Sequence, residues 1–194
     1  MPWEKKYDET KVLDSVMHAF WSHGYEATSM RDIVEASGLN RGSIYAAFTD
    51  KRTLFIATLR HYDKTYRTDF LARMARSGNA KEAIIATFAE AACGAGKDER
   101  PGGCLLVNTL LELSPHDPEI REIVDGSIMA VEDFFRTMIA AGQAEGIITD
   151  RLDPGQGAGS LLALFLGLRV VTRTKPRQTV IDAIASQVRT MLEP

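Results

Sequence analysis

Few residues of this chain have the types and spacing that covalent or metal chemistry needs. The two cysteines are Cys93 and Cys104, and the four histidines are His18, His23, His61 and His116. No His falls at metal-ligand spacing from a Cys, so no metal site is expected. The stretch GAGKD at 94–98 has the ending of a phosphate loop, but Ala91 stands where the first glycine belongs and no strand precedes it. GQGAG at 155–159 lacks the spacing of a dinucleotide fold, and no G-x-S-x-G occurs. No catalytic residue and no cofactor is expected, and an enzyme is the weakest reading. The grouping with a coherent purpose is Asn40, Arg41, Gly42 and Ser43 at the start of a short helix. Small residues there allow close approach to a duplex, and Arg41 can reach a phosphate or a guanine edge.

Charge agrees with that purpose only locally. The 194 residues carry a net charge of −3, which as a sum argues against nucleic acid. Residues 1–76 hold 12 basic and 10 acidic residues, whereas 77–194 hold 11 and 16. Within the first part, 40–76 has 8 basic and 3 acidic residues. A basic segment on an acidic chain fits a small reading head joined to a larger body, although a solvated helix face would look the same. Hydrophobic residues at 45% and charged residues at 25% describe an ordinary globular chain. The N-terminal stretch has no apolar core, and the longest apolar run, 161–171, contains Arg169 and is about half of the roughly twenty residues a bilayer span needs. A cytoplasmic, reducing location with no membrane contact is expected.

The elements that must position these residues are helices throughout. Apolar residues recur at helical period and no strand alternation is sustained, so the expected fold class is all-α with about nine helices. From 8 to 23 the stripe is Val12, Leu13, Val16, Met17, Phe20 and Trp21, closed by Gly24. A second helix starts at Thr28 or Ser29, with Ser29 and Asp32 at capping-box spacing, and ends at Gly38. Asn40 caps a third helix carrying Ile44, Tyr45 and Phe48, and Asp50 caps a fourth, expected unbroken over 51–76. Further helices are expected over 80–93, 104–113, 118–144, 154–172 and 176–192. A polar loop spans 94–103, and the apolar helix 104–113 should be buried. Helices two and three, joined by Gly38-Leu39-Asn40, have the build of a helix-turn-helix.

The stretch GYEATSMRDIVEASGLNRGSIYAAFTDKRTLF, 24–55, resembles the DNA-binding domain of TetR-type bacterial repressors. Gly24, Tyr25, Thr28, Met30, Ile33, Gly38, Gly42, Ser43, Ile44, Tyr45, Phe48 and Lys51 stand in the family's order and spacing. Ala46 and Ala47 replace a common aromatic-His pair, which leaves fewer side chains on helix three to read bases. The resemblance implies residues 1–50 as the DNA-binding domain and 51–194 as a ligand-binding and dimerisation domain. It implies DNA contacts by Thr28, Ser29, Arg31, Asn40, Arg41, Gly42, Ser43, Tyr45 and Lys51. Arg41 and Ser43 are the base-reading choices, and Tyr45 and Lys51 the phosphate ones. Thr28 has helix capping as a rival role. Tyr45 is expected to bury its ring and expose its hydroxyl.

The same resemblance implies a homodimer on a palindromic double-stranded operator, released by a small-molecule effector. The pocket would draw on Tyr62, Tyr66, Phe88, Leu105, Val107, Leu111, Phe134, Phe135, Met138 and Phe165. Asn108, His116 and Arg169 would be its polar groups. The eighth and ninth predicted helices would form a four-helix dimer interface. Gly157, Ala158, Gly159, Ala163 and Gly167 would give close approach, and Leu161, Leu162, Leu164, Val171, Ile184 and Val188 apolar area. GGCLLVNT, 102–109, resembles a subgroup with Cys at a helix start, where the helix N-terminus favours thiolate. Cys104, with Cys93, therefore stays open as either a thiol or electrophile sensor or an inert apolar residue. A small-molecule binding protein with no DNA role is the remaining alternative.

Overall fold

Residues 7–93, 102–174 and 177–194 are described by the structure, a computed structural model. The phosphate-loop-like stretch 94–98, most of the expected loop 94–103, and Pro176 as a helix start lie outside the described residues. The described residues form α1 (Glu9–His23), α2 (Met30–Ser37), α3 (Arg41–Phe48), α4 (Lys51–Tyr62), a π-helical turn (Asp63–Arg67), α5 (Thr68–Met74) and α6 (Ala80–Cys93). They continue with α7 (Leu105–Glu112), α8 (Pro118–Ala144), α9 (Pro154–Val171) and α10 (Gln178–Leu192). Among the described residues there is no strand. With 51–74 counted as one interrupted helix, the expected nine are present.

Local chemistry sets most helix starts. Asp8, Ser29, Asn40, Asp50, Asp117 and Asp153 each accept a hydrogen bond from a backbone N–H in the first turn of the helix that follows. Ser29 and Asp32 complete a reciprocal capping box. Two expectations are corrected. The helix 51–76 is not unbroken, because a π turn occupies 63–67, where the Asp63 carboxylate is held by Arg67 one turn on and by the Ser127 hydroxyl of α8. α7 is not buried all round. Leu105, Leu106, Val107 and Thr109 are buried, but Leu111 is 67% exposed, because this short helix faces α1, α4, α8 and α9 and leaves its remaining side to solvent.

Two apolar clusters organise the helices. The first unites α1 to α4 with α7 and the start of α8, through Phe20, Ile33, Ile44, Leu54, Phe55, Leu105, Ile120 and Val124. The second joins α6, the rest of α8, α9 and α10, through Ile84, Phe135, Ile139, Leu161 and Val188. α8 belongs to both, and its 27 residues span about 40 Å. This packing divides the residues assigned to a dimer face. Gly157, Ala158, Leu161 and Val188 are consumed inside the chain. Ala163 and Gly167 remain exposed along α9, with Gly159 half-buried beside open space, and Leu162, Leu164, Val171 and Ile184 are half-buried. By length and composition α9 also meets the requirement for crossing a bilayer, which the shorter apolar run had not indicated. It packs against α6, α7, α8 and α10, and its Arg169 bonds carbonyls of other elements.

Candidate nucleic-acid interface and ligand cavity

α3 shows one face to solvent. Ile44 and Phe48 anchor it in the first cluster, while Asn40, Arg41, Gly42, Tyr45, Ala46 and Ala47 are exposed and Ser43 is half-buried. The Asn40 side chain is spent on capping the Ser43 N–H at 2.9 Å, and Ser29 is spent on its box with Asp32. Arg41 lies over the Tyr45 ring, 5.5 Å from its centre, and donates to its hydroxyl at 3.3 Å. The Tyr45 ring is therefore on the surface, 38% exposed, and not in the core as expected. Arg31 is exposed on α2. Lys51 lies over the Tyr25 ring, 4.3 Å from its centre, and reaches the Glu26 carbonyl at 3.5 Å. Thr28 is fully buried, and its hydroxyl donates to the Gly24 carbonyl at 2.6 Å. It shapes the turn before α2 and has no surface with which to touch DNA.

The head is clamped to the body at its base. Both Glu112 carboxylate oxygens accept from the α1–α2 turn, from the N–H of Tyr25 at 3.1 Å and of Glu26 at 2.9 Å. Gly24 fits this approach twice over, with φ +87° and the Glu112 oxygen 3.2 Å from where a Cβ would stand. Arg52 at the start of α4 donates to Asp117 at 2.6 Å and to Glu119 at 2.9 Å. That contact pushes the Asp117 carboxyl down to about 2. Arg173 donates to the carbonyls of Trp21 at 2.9 Å and Ser22 at 2.8 Å, tying the end of α9 to the end of α1.

A cavity of about 470 Å³ lies behind this clamp. Its walls include Trp21 of α1, Tyr62 of α4, Thr65, Tyr66 and Arg67 of the π turn, Phe70 and Arg73 of α5, and Glu90 of α6. Cys104, Ser127, Val131, Phe165 and Arg169 add to them. The π turn sets Tyr62 and Tyr66 in a parallel stack, 5.3 Å between centres. Gly102 lets the loop before α7 press on the end of α9, since a Cβ there would sit 2.6 Å from the Thr172 carbonyl. The Tyr62 hydroxyl is 3.4 Å from Cys104 Sγ. Burial, then the neighbouring Cys104, holds that phenol's pKa well above its ordinary value, so it stays protonated.

Of the pocket residues expected from sequence, Tyr62, Tyr66, Val107, Phe165 and Arg169 line this cavity, and so does Cys104. Phe88, Phe135 and Leu105 are core residues, and Phe134 and Met138 pack on the second cluster. Leu111 and His116 face solvent, and Asn108 is half-buried on α7, its Nδ2 without a partner among the described residues. None of these eight lines the cavity. The reason is angular: α7 and α8 present only one edge to it, and periodicity cannot say which. Cys93 is exposed at the end of α6. Sequence reasoning missed Trp21, Thr65, Arg67, Phe70 and Ser127. The π turn that carries two of them, Thr65 and Arg67, has no sequence signal comparable to a cap.

Residues 12–58 match the family model described as bacterial regulatory proteins, tetR family, and 80–188 match the tetracyclin repressor-like C-terminal domain. The chain is 32% identical to the HTH-type transcriptional repressor ComR of Escherichia coli (strain K12) over 171 residues, 87% of this chain and 81% of that protein. It is 31% identical to an uncharacterized HTH-type transcriptional regulator, YezE of Bacillus subtilis (strain 168), covering 75% and 77% of the two chains. Among solved structures it is similar to a cysteine mutant of the TetR-family regulator CifR complexed with 26-bp operator DNA. That likeness has a TM-score of 0.83 and 26% identity, and covers 95% of this chain and 97% of that one.

Proposed function

Since the chain belongs to the TetR family of bacterial transcriptional regulators, a family of operator-binding repressors and not of enzymes, we propose that it is a homodimer whose hold on DNA is set by a ligand in the 470 Å³ cavity. Residues 1–50 read DNA and 51–194 sense and dimerise. Arg41, Tyr45 and Lys51 carry the contacts, with Arg31, Gly42 and Ser43 beside them, while Ser29 and Asn40 also cap. The operator is a palindrome read by two α3 helices about 34–36 Å apart. Such a repressor acts in the cytoplasm, where the chromosome is.

One observation carries the reading. The helix that starts beside the recognition helix becomes the cavity wall, as α4 runs from Lys51 to Tyr62 and straight into the π turn. A ligand that displaces Tyr62 and Tyr66 therefore acts on the element that positions the head. A 100-fold release needs about 2.8 kcal/mol of coupling. The exposed Ala163, Gly167 and Val170 of α9, with Ile184 of α10 half-buried nearby in sequence pattern, support the dimer. A genomic binding selection on the purified chain should return one palindromic site, bound with steep salt dependence. Sedimentation should give a dimer. Failure to select any sequence would favour a ligand-binding protein without a DNA role, and a monomer would remove the two-head geometry.

A further inference from the structure

Among the described residues, no carboxylate neutralises one positive charge in the cavity. Arg67, Arg73 and Arg169 all line it. Arg67 is paired with Asp63, and Arg73 stands 4.0 Å from Glu90. Arg169 donates instead to two backbone carbonyls, of Ala91 at 3.1 Å and of Gly103, and has no carboxylate partner among the described residues. Carbonyl dipoles orient a guanidinium without cancelling its charge. A second polar group lies on the same wall: Trp21 is 4% exposed, and its buried Nε1–H has no acceptor among the described residues. Buried donors of this kind are normally satisfied, and those at a cavity are where a ligand's acceptor belongs. Around them the surface is aromatic, with Trp21 edge-on to both rings of the Tyr62–Tyr66 stack and Phe165 also lining the cavity.

We propose that this cavity takes an aromatic monocarboxylate, its carboxylate bound by Arg169 and its ring laid against the Tyr66 and Phe165 side of the wall. The inference rests on the proposed reading of the cavity as the effector site. A planar guanidinium matches a carboxylate fork. One unneutralised cation suits one negative charge, and a second carboxylate would meet Glu90. The volume falls within the roughly 300–1,000 Å³ of small-molecule sites. Arg169 also stands one helical turn before Arg173, which holds the carbonyls of Trp21 and Ser22, so a ligand drawn to Arg169 bears on the segment that fixes α1.

The test uses the full chain, its selected operator, and matched probes: benzoate, salicylate and trans-cinnamate, each against its primary amide. Calorimetry should show at least one acid binding about tenfold or more tighter than its amide, the scale of a charge-assisted contact. Arg169→Gln should erase that preference, and Arg169→Lys should retain most of it. Cys93→Ser, exposed at the end of α6 and outside the cavity lining, should leave it unchanged. The acid–amide comparison on the unmodified chain stands even where the Arg169 variants fail to fold. Equal binding of acids and amides, or no saturable binding of any acid at millimolar concentration, would overturn the proposal. An Arg169-dependent acid that binds but leaves the operator complex intact would instead support the ligand class and sink the effector reading.

Discussion

In the reading head, the residues that set the geometry lie within a few positions of their partners. Ser29 and Asp32, Asn40 and Ser43, and Asp50 and Thr53 each close a helix start over three residues. The cavity wall is assembled the other way. Ser127 meets Asp63 across 64 residues, Arg169 meets Gly103 across 66, and Arg173 meets Trp21 across 152. A head built from local bonds keeps its shape while the body beneath it moves. A body built from distant contacts can be rearranged by a ligand that competes for a few of them. The two meet at α4, and at the Glu112, Arg52 and Arg173 clamps.

The largest effect should come from breaking the joint itself. Phe55 is 1% exposed and packs on Phe20 and Tyr25, with ring centres 4.9 and 4.8 Å away. Phe55→Ala should cost about 3–5 kcal/mol in urea unfolding. It should lower affinity for specific and random DNA together. If stability is kept and only ligand response changes, the head is less dependent on α4 than its packing indicates.

Next comes the recognition face. Arg41→Ala should cost roughly 1–3 kcal/mol on the selected operator and relax its sequence preference, if the side chain leaves Tyr45 to read a base. Lys51→Ala should weaken all DNA alike and lower the salt slope by about one. Parallel losses on specific and random DNA for both variants, measured by titration at several salt concentrations, would contradict these roles.

A smaller effect is expected at the clamp. Glu112→Gln keeps the shape but removes the charge that receives two backbone N–H groups. It should cost about 1 kcal/mol of stability and alter the ligand response of DNA binding more than the binding itself. An unchanged ligand response would remove Glu112 from the coupling path.

The smallest effect is a pH signature. Asp117 has a folded pKa of about 2, held down by the Arg52 hydrogen bonds, against about 3.9 unfolded. Its folded value is depressed, so its contribution to stability is complete above about pH 4 and disappears as pH falls through about 2. Melting curves of the parent chain and Asp117→Asn should differ at pH 6 and converge in that acid window. A difference that persists below it would show that the effect does not come from the ionised carboxylate, since Asn keeps the cap of α8.

What depends on neighbours along the chain could be read from the residues alone. The caps at Ser29, Asn40 and Asp50, the turn at Gly38, and the all-helical period were legible because each needs only three or four residues to act. The exposed face of α3 was legible for the same reason, down to Arg41. Thr28 and Tyr45 were the exceptions, since burial and exposure depend on what packs from elsewhere. Only the tertiary structure decided which edge of α7 and α8 meets the cavity, and that Phe88, Phe134 and Met138 pack elsewhere while Trp21 and Ser127 line it. It also decided that Leu161 and Val188 belong inside the protomer. The π turn at 63–67 shows the physical reason most directly. Asp63 and Arg67 stand at ordinary helical pairing distance in sequence, and a hydroxyl from α8, 64 residues away, joins them where the backbone changes register.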